Sequence, residues 1–130
     1  MKYLQRDFSL DLNELIKATE QSFYEHIELL LSEYTPTFTE RNQSINLELK
    51  KYGTDPFKPG YFSFVSVEIE LEESKEKYKI IIEVPIWKCQ RYLLGISLSK
   101  NIPGSKVIGE LVTLEEAKNV FREFIEDNLK

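Results

Sequence analysis

Two long runs of alternating apolar and polar residues lie in the middle of the chain, and a β-hairpin accommodates both. Apart from Ser63, apolar side chains occupy every second position from Tyr61 to Leu71, and the alternation recurs from Tyr78 to Ile86. A period of two places such side chains on one face of a strand. The charged segment from Glu73 to Glu76 separates the runs. The sequence therefore predicts two long antiparallel strands that share one apolar face.

Charge fixes the register of this predicted hairpin. Placing one apolar face beside the other sets Glu72 opposite Lys77, and an opposite-charge pair across strands contributes about 0.2 to 1 kcal/mol. A slip of one residue would lose the pair and turn the apolar side chains outward. At the far end of the hairpin the same register pairs Phe62 with Trp87 and puts Phe64 on the same outer face.

An amphipathic helix is predicted on each side of the strands. Apolar residues recur at steps of three and four from Asp11 to Tyr34, which is the pattern of a helix with one buried stripe. Asp11 is its predicted N-cap, and Pro36 is its predicted end. Thr113 and Glu116 fit the capping-box pattern ahead of a second apolar stripe from Leu114 to Leu129.

The remaining segments predict shorter strands and a loop. Strands are expected from Asn42 to Tyr52, from Tyr92 to Leu98 and from Val107 to Val112. Gly53 to Gly60 contains two prolines and two glycines and is expected to be a loop. The predicted fold is α+β: a four- to five-stranded antiparallel sheet with an N-terminal and a C-terminal helix packed on one face. Residues 1–130 are expected to form a single domain.

The composition limits the cellular compartments and the classes of partner that we expect for this chain. The chain has 17 lysine and arginine residues against 22 aspartate and glutamate residues, a formal net charge of −5. This balance disfavours nucleic acid, whose backbone requires a dense basic face. No signal-peptide core occurs near the start, and no apolar run approaches the length of a membrane span. With one cysteine, Cys89, and hence no internal disulfide, we expect a cytoplasmic protein.

Few residues point to catalysis. His26 is the single histidine, which excludes two-histidine metal motifs and favours an ordinary helix residue. Cys89 lacks a local nucleophile signature and is expected to be a buried thiol. The acid-x-Lys pattern occurs three times, against about two expected by chance for this composition. We therefore predict no catalytic residue, no metal ligand and no cofactor.

Aromatic residues provide the strongest candidate for a binding site. The hairpin register gathers large rings and carboxylates on the outer face, and aromatic side chains are enriched at binding hot spots. An aromatic minicore under the proline-rich loop explains the same residues without any partner. The predicted partner surface consists of Phe57, Phe62, Phe64, Trp87, Glu68 and Glu83.

These features favour a small acidic protein that acts by stoichiometric protein binding. Its most concrete form is an immunity or antitoxin-type inhibitor of a basic effector, because opposite charge speeds encounter. A homodimer through the open sheet face is a further expectation. The alternative is a small-molecule-binding or enzymatic domain with a pocket between the sheet and the first helix, near Tyr34, Tyr52 and Tyr92.

Overall fold

The predicted hairpin forms the centre of a six-stranded antiparallel sheet in a computed structural model that describes all 130 residues. The elements are β1 (Lys2–Leu4), α1 (Leu10–Glu40), β2 (Ser44–Tyr52), β3 (Phe62–Glu73), β4 (Glu76–Leu93), β5 (Ile96–Leu98), β6 (Lys106–Leu111) and α2 (Leu114–Asp127). The strand order is β1-β6-β4-β3-β2, and β5 pairs with the end of β4. The α+β class and the two terminal helices are confirmed. Neither helix carries an apolar stretch of the length that crosses a bilayer.

Hydroxyl side chains cap the starts of both helices. The Ser9 side chain accepts a hydrogen bond from the Leu12 amide at 3.1 Å, so the predicted cap, Asp11, is wrong and lies in the first turn instead. The capping box of α2 is confirmed. The Glu116 amide donates to Thr113 Oγ1 at 3.3 Å, and the Thr113 amide donates to Glu116 Oε2 at 3.4 Å.

The prediction that α1 ends at Pro36 is wrong, because the helix continues to Glu40. A proline inside a helix leaves the carbonyl four residues earlier without its donor. Here that carbonyl belongs to Ser32, which is exposed and open to water. Phe38 is fully buried and anchors the last turn. The helix ends where Asn42 adopts the left-handed conformation, with φ at 57°.

Strand β4 is longer than predicted. It passes through Pro85 and continues to Leu93, so the strand expected from Tyr92 to Leu98 is divided between β4 and β5. A two-residue turn separates β4 from β5, and both of its residues, Leu94 and Gly95, have positive φ. This geometry matches the right-handed twist of the flanking strands. β1 is a strand that the sequence did not predict.

At the far end of the hairpin, a β-bulge makes the strand pairing differ from the predicted register. The predicted pairing holds from Glu73 and Glu76 at the turn as far as Phe64 and Pro85. There the register shifts, so Trp87 pairs with Ser63, and Phe62 pairs with Lys88. The predicted pair of Phe62 with Trp87 is therefore wrong. An extra residue reverses the in-and-out alternation beyond it, and Trp87 consequently faces the helices.

The helix-covered face of the sheet contains two hydrophobic cores. The main core lies between the sheet, α2 and most of α1, and contains Phe23, Ile27, Leu30, Tyr34, Phe38, Leu47, Val65, Val67, Ile69, Val84, Ile86, Ala117, Phe121 and Ile125. The aromatic core lies between the start of α1 and the other end of the sheet. It contains Leu12, Ile16, Tyr61, Trp87, Cys89, Val107 and Leu111, with Tyr3, Phe8 and Phe57 at its margin.

A buried carboxylate lies on α1 between the two cores. Glu20 is 3% exposed and follows Ile16 of the aromatic core by one helical turn. Its Oε2 accepts a hydrogen bond from the Tyr61 hydroxyl at 2.7 Å, and its Oε1 lies 3.4 Å from Lys51 Nζ. Burial, followed by this hydrogen bond, raises the pKa of Tyr61. Glu20 therefore links α1 to β2 through Lys51 and to Tyr61, the residue that precedes β3.

Candidate functional site

The sheet face opposite the helices carries the candidate site, and we call it the open face. Strand alternation places on it the even-numbered residues of β3, from Phe62 to Glu72, together with their partners on β2 and β4. Both helices pack on the other side. The central residues of the open face are Tyr52, Phe62, Phe64, Glu68, Ile81, Glu83 and Pro85.

Three aromatic rings form a cluster on this face, which we call the open-face cluster. Phe62 stacks on Phe64 with ring centroids 4.7 Å apart, and Tyr52 lies 5.6 Å from Phe64. Lys88 Nζ lies 5.6 Å from the centre of the Phe62 ring. Phe64 is buried by these neighbours, whereas Tyr52 is 60% exposed and Phe62 is half-buried. The cluster therefore has a buried base and two accessible rings.

Carboxylates and exposed apolar side chains surround the open-face cluster. Glu68 forms an ion pair with Lys79 at 3.0 Å. Glu83 has no cation within 4 Å. Ile81 is 55% exposed, and Pro85, which pairs with Phe64, is exposed as well. Phe62, Glu68 and Glu83 lie on this face as predicted. Phe64 lies on the same face but is only 2% exposed, so its predicted role as a contact residue of the partner surface is wrong.

Trp87 and Phe57 lie in and beside the aromatic core, so their predicted place on the partner surface is wrong. Trp87 is fully buried in the aromatic core, where its Nε1 donates to the Pro56 carbonyl at 2.7 Å. Phe57 stacks on Phe8 at 4.6 Å and meets Trp87 edge-on at 6.4 Å. The minicore under the proline-rich loop is therefore the correct interpretation for these two residues. The bulge that turns Trp87 inward is the physical reason.

Two residues of the cluster environment were missing from the predicted site. Tyr52 is the last residue of β2 and pairs with Phe62, so the alternation of β2 alone could have placed it on this face. Lys88 pairs with Phe62 only because of the bulge. Its contact with the ring had no signal in the sequence.

The histidine and the cysteine do not form a catalytic pair. His26 lies beside Phe121 of the main core at a ring distance of 6.1 Å, and burial, followed by Lys118 and Arg122, lowers its pKa. Cys89 is fully buried in the aromatic core, and burial raises its pKa to about 11. A thiol with this pKa stays protonated near neutral pH, and the thiolate is the nucleophilic form.

The pocket expected between the sheet and α1 is not formed by the three predicted tyrosines. Tyr34 is buried in the main core and donates a hydrogen bond to Glu126 at 2.9 Å. Tyr52 belongs to the open face, and Tyr92 pairs with Lys106 at the opposite end of the sheet. Clefts do lie between α1 and β2, and one of them is lined by Tyr24, Ile27, Leu31, Leu47 and Leu49, but none of the three predicted tyrosines lines them.

Comparisons with protein-family models, with curated proteins and with solved structures give no match. The assignment of a role therefore depends on the geometry of the open face.

Proposed function

We propose that this chain acts by stoichiometric protein binding through the open face. The observation that supports the proposal is the open-face cluster, in which Tyr52 and Phe62 are accessible on a sheet face that no helix covers. Large aromatic side chains with polar neighbours dominate binding energy at protein interfaces. Tyr52 and Phe62 are the proposed anchors, and the exposed Ile81 and Pro85 extend the apolar centre.

Charge favours a basic partner. Glu83 lies on the open face without a cation within 4 Å, and the whole chain carries a net charge of −5. An acidic chain attracts a basic protein during diffusion, and this attraction increases the association rate. A cytoplasmic inhibitor of a basic effector, such as an immunity protein, is the concrete form of the proposal. It requires no catalytic residue in this chain.

The test compares two double variants with the wild-type chain. In the first, Tyr52→Ser and Phe62→Ser remove both accessible rings. In the second, Tyr24→Ser and Leu29→Ser remove a tyrosine and a leucine that are exposed on α1. Proteins retained from a native lysate by each immobilised chain are identified, and the retained protein is then purified and titrated calorimetrically against all three.

We expect a basic protein that binds the wild type and the α1 variant with one-to-one stoichiometry. Loss of two anchors should weaken its binding to the open-face variant by at least about 2 kcal/mol. Circular dichroism should show the same helix content in all three chains. Equal affinity for both variants contradicts the proposal. A wild type of twice the monomer mass in light scattering, which becomes monomeric in the open-face variant, would instead assign this face to a homodimer.

A further inference from the structure

A separate groove lies at the other end of the open face, where β4, β6 and β1 meet the β4–β5 turn. Its volume is about 460 Å³, which is within the range of small-molecule sites. Three lysines, Lys2, Lys88 and Lys106, line it together with Glu110. We call it the lysine groove. Its apolar lining is provided by Tyr92, Leu93, Leu94 and Ile108.

The lysines of this groove have no internal counter-ions. None of the three ammonium groups lies within 4 Å of a carboxylate. Glu110 pairs with Lys2 on one side and with Lys88 on the other in the strand register, and it is the single acidic residue in the lining. The groove therefore carries a formal charge of +2 in a chain whose net charge is −5.

The geometry allows two of the three lysines to contact one anion. Lys2 and Lys88 lie on the two strands that flank β6, so their backbones are about 10 Å apart. A lysine side chain is long and flexible and carries a compact charge with three donors. Lys2 can reach a group bound above Glu110, and Lys88 can reach it when its ammonium group leaves the Phe62 ring. Lys106 is four residues along β6 from Glu110, about 13 Å away, and attracts the anion from that distance.

The rim of the groove shows a second unusual feature. Leu94 is 94% exposed and has a φ of 51°. A non-glycine residue in the left-handed region is uncommon and is conformationally costly. An exposed leucine in this conformation presents an apolar surface beside the three lysines. A ligand that has both an anionic group and an apolar body would contact both.

We propose that the lysine groove binds the phosphomonoester group of an organic molecule. A phosphomonoester carries a charge of about −1.5 to −2 at pH 7, which matches the +2 of the groove. Lysine ammonium groups are common phosphate ligands. Ile108, Tyr92 and Leu94 provide the apolar contacts for the organic part. This inference concerns the other end of the open face from the proposed protein partner, and the two sites share one residue, Lys88, which lines the groove and contacts the Phe62 ring.

The probe is n-octyl phosphate below its micelle concentration, titrated into the ¹⁵N-labelled chain and followed by amide chemical shifts. Inorganic phosphate and n-octanol are titrated separately, because the first has only the anionic group and the second has only the apolar chain. We expect saturable shifts of amides from Leu93 to Gly95 and from Gly104 to Glu110. Octyl phosphate should bind at least about tenfold more tightly than either half, because both kinds of contact contribute.

Two variants test the charges in opposite directions. A triple variant, Lys2→Ala, Lys88→Ala and Lys106→Ala, should weaken octyl phosphate binding by at least about tenfold. Glu110→Gln should strengthen it, because the one repulsive charge is removed. The matched control is Lys17→Ala, Lys75→Ala and Lys77→Ala, which changes the net charge equally at exposed lysines outside the groove. It should bind octyl phosphate as the wild type does.

Three results would overturn the proposal. They are shifts scattered over the surface, equal losses in the two triple variants, and weaker binding by Glu110→Gln. Equal affinity for inorganic phosphate would overturn the apolar part of the recognition. Sedimentation with vesicles that contain phosphatidic acid identifies the source of the phosphate. Binding to both probes supports a lipid headgroup, and binding to octyl phosphate alone supports a soluble metabolite.

Discussion

The main core and the aromatic core lie under the same helix but are assembled by different means. The main core combines regular strand alternation with two helix stripes, and nearly all its members are aliphatic or phenylalanine side chains. The aromatic core depends on a bulge that turns Trp87 inward, on a loop carbonyl at Pro56 and on a glycine at position 109. Periodic patterns therefore specify one core, whereas single local features specify the other.

This difference predicts how each core responds to the loss of an aromatic ring. Phe121 is fully enclosed in the main core, so Phe121→Ala should lower the free energy of unfolding by about 3 to 5 kcal/mol. Phe57 is half-buried at the margin of the aromatic core, and Phe57→Ala should cost about 1 to 2 kcal/mol. Urea denaturation of both variants measures the two losses. Equal losses would show that the loop is as tightly packed as the helices.

Added volume, in contrast to a lost ring, should destabilise the aromatic core strongly. A Cβ atom at Gly109 would lie 2.0 Å from Trp87 Cη2 and 2.3 Å from Cζ2. We expect Gly109→Ala to destabilise the fold by about 1 to 3 kcal/mol, because the indole must move. Trp87→Phe replaces the indole with a smaller ring that lacks the far atoms Cη2 and Cζ2, so Gly109→Ala should cost much less in that background. A double-mutant cycle measures the coupling, and additive costs would contradict the packing contact.

The smallest expected difference is in the response to mild acid. His26 beside the main core has a lowered pKa, so its imidazole gains a proton near pH 6.5 in the unfolded chain and only at a lower pH in the folded chain. Stability should therefore fall as the pH decreases below about 6.5, by at most about 1.4 kcal/mol per pH unit. The thiol of Cys89 in the aromatic core stays neutral in this range.

His26→Leu isolates this effect. The difference in unfolding free energy between the wild type and His26→Leu should change between pH 7.5 and pH 5.5, to the disadvantage of the wild type at the lower pH. Cys89→Ala is the control from the aromatic core, and its difference from the wild type should stay constant. A constant difference for His26→Leu would show that its imidazole is solvated in the folded chain.

The same contrast between periodic patterns and single local features separates the parts of the fold that could be predicted from the sequence from those that could not. The hairpin register from Glu72 and Lys77 to Phe64 is confirmed, because apolar alternation and charge pairing agree over that length. The capping box at Thr113 is confirmed for a similar reason, since it is a local signal. Pro36 is a local signal that tertiary packing overrides, because burial of Phe38 holds the last turn of α1.

The candidate site was predictable to the point where the bulge begins. Phe62, Phe64, Glu68 and Glu83 lie on the open face as the regular alternation requires. The bulge beside Pro85 has no sequence pattern that a two-residue period can detect, and Trp87 was therefore assigned to the wrong face. Lys88 reached the ring of Phe62 by the same shift. The faces on which Trp87 and Lys88 lie therefore depend on the pairing of β3 with β4, which the two-residue period does not report.

The contact between Trp87 and Gly109 has a consequence for divergence of this sequence. Because the indole occupies the space of a Cβ atom at position 109, neither residue can be exchanged freely while the other is kept. Descendants of a common ancestor should retain the tryptophan and the glycine together or replace both. This pair, 22 positions apart, is therefore a covariation marker by which distant kin with the same bulged strand can be recognised.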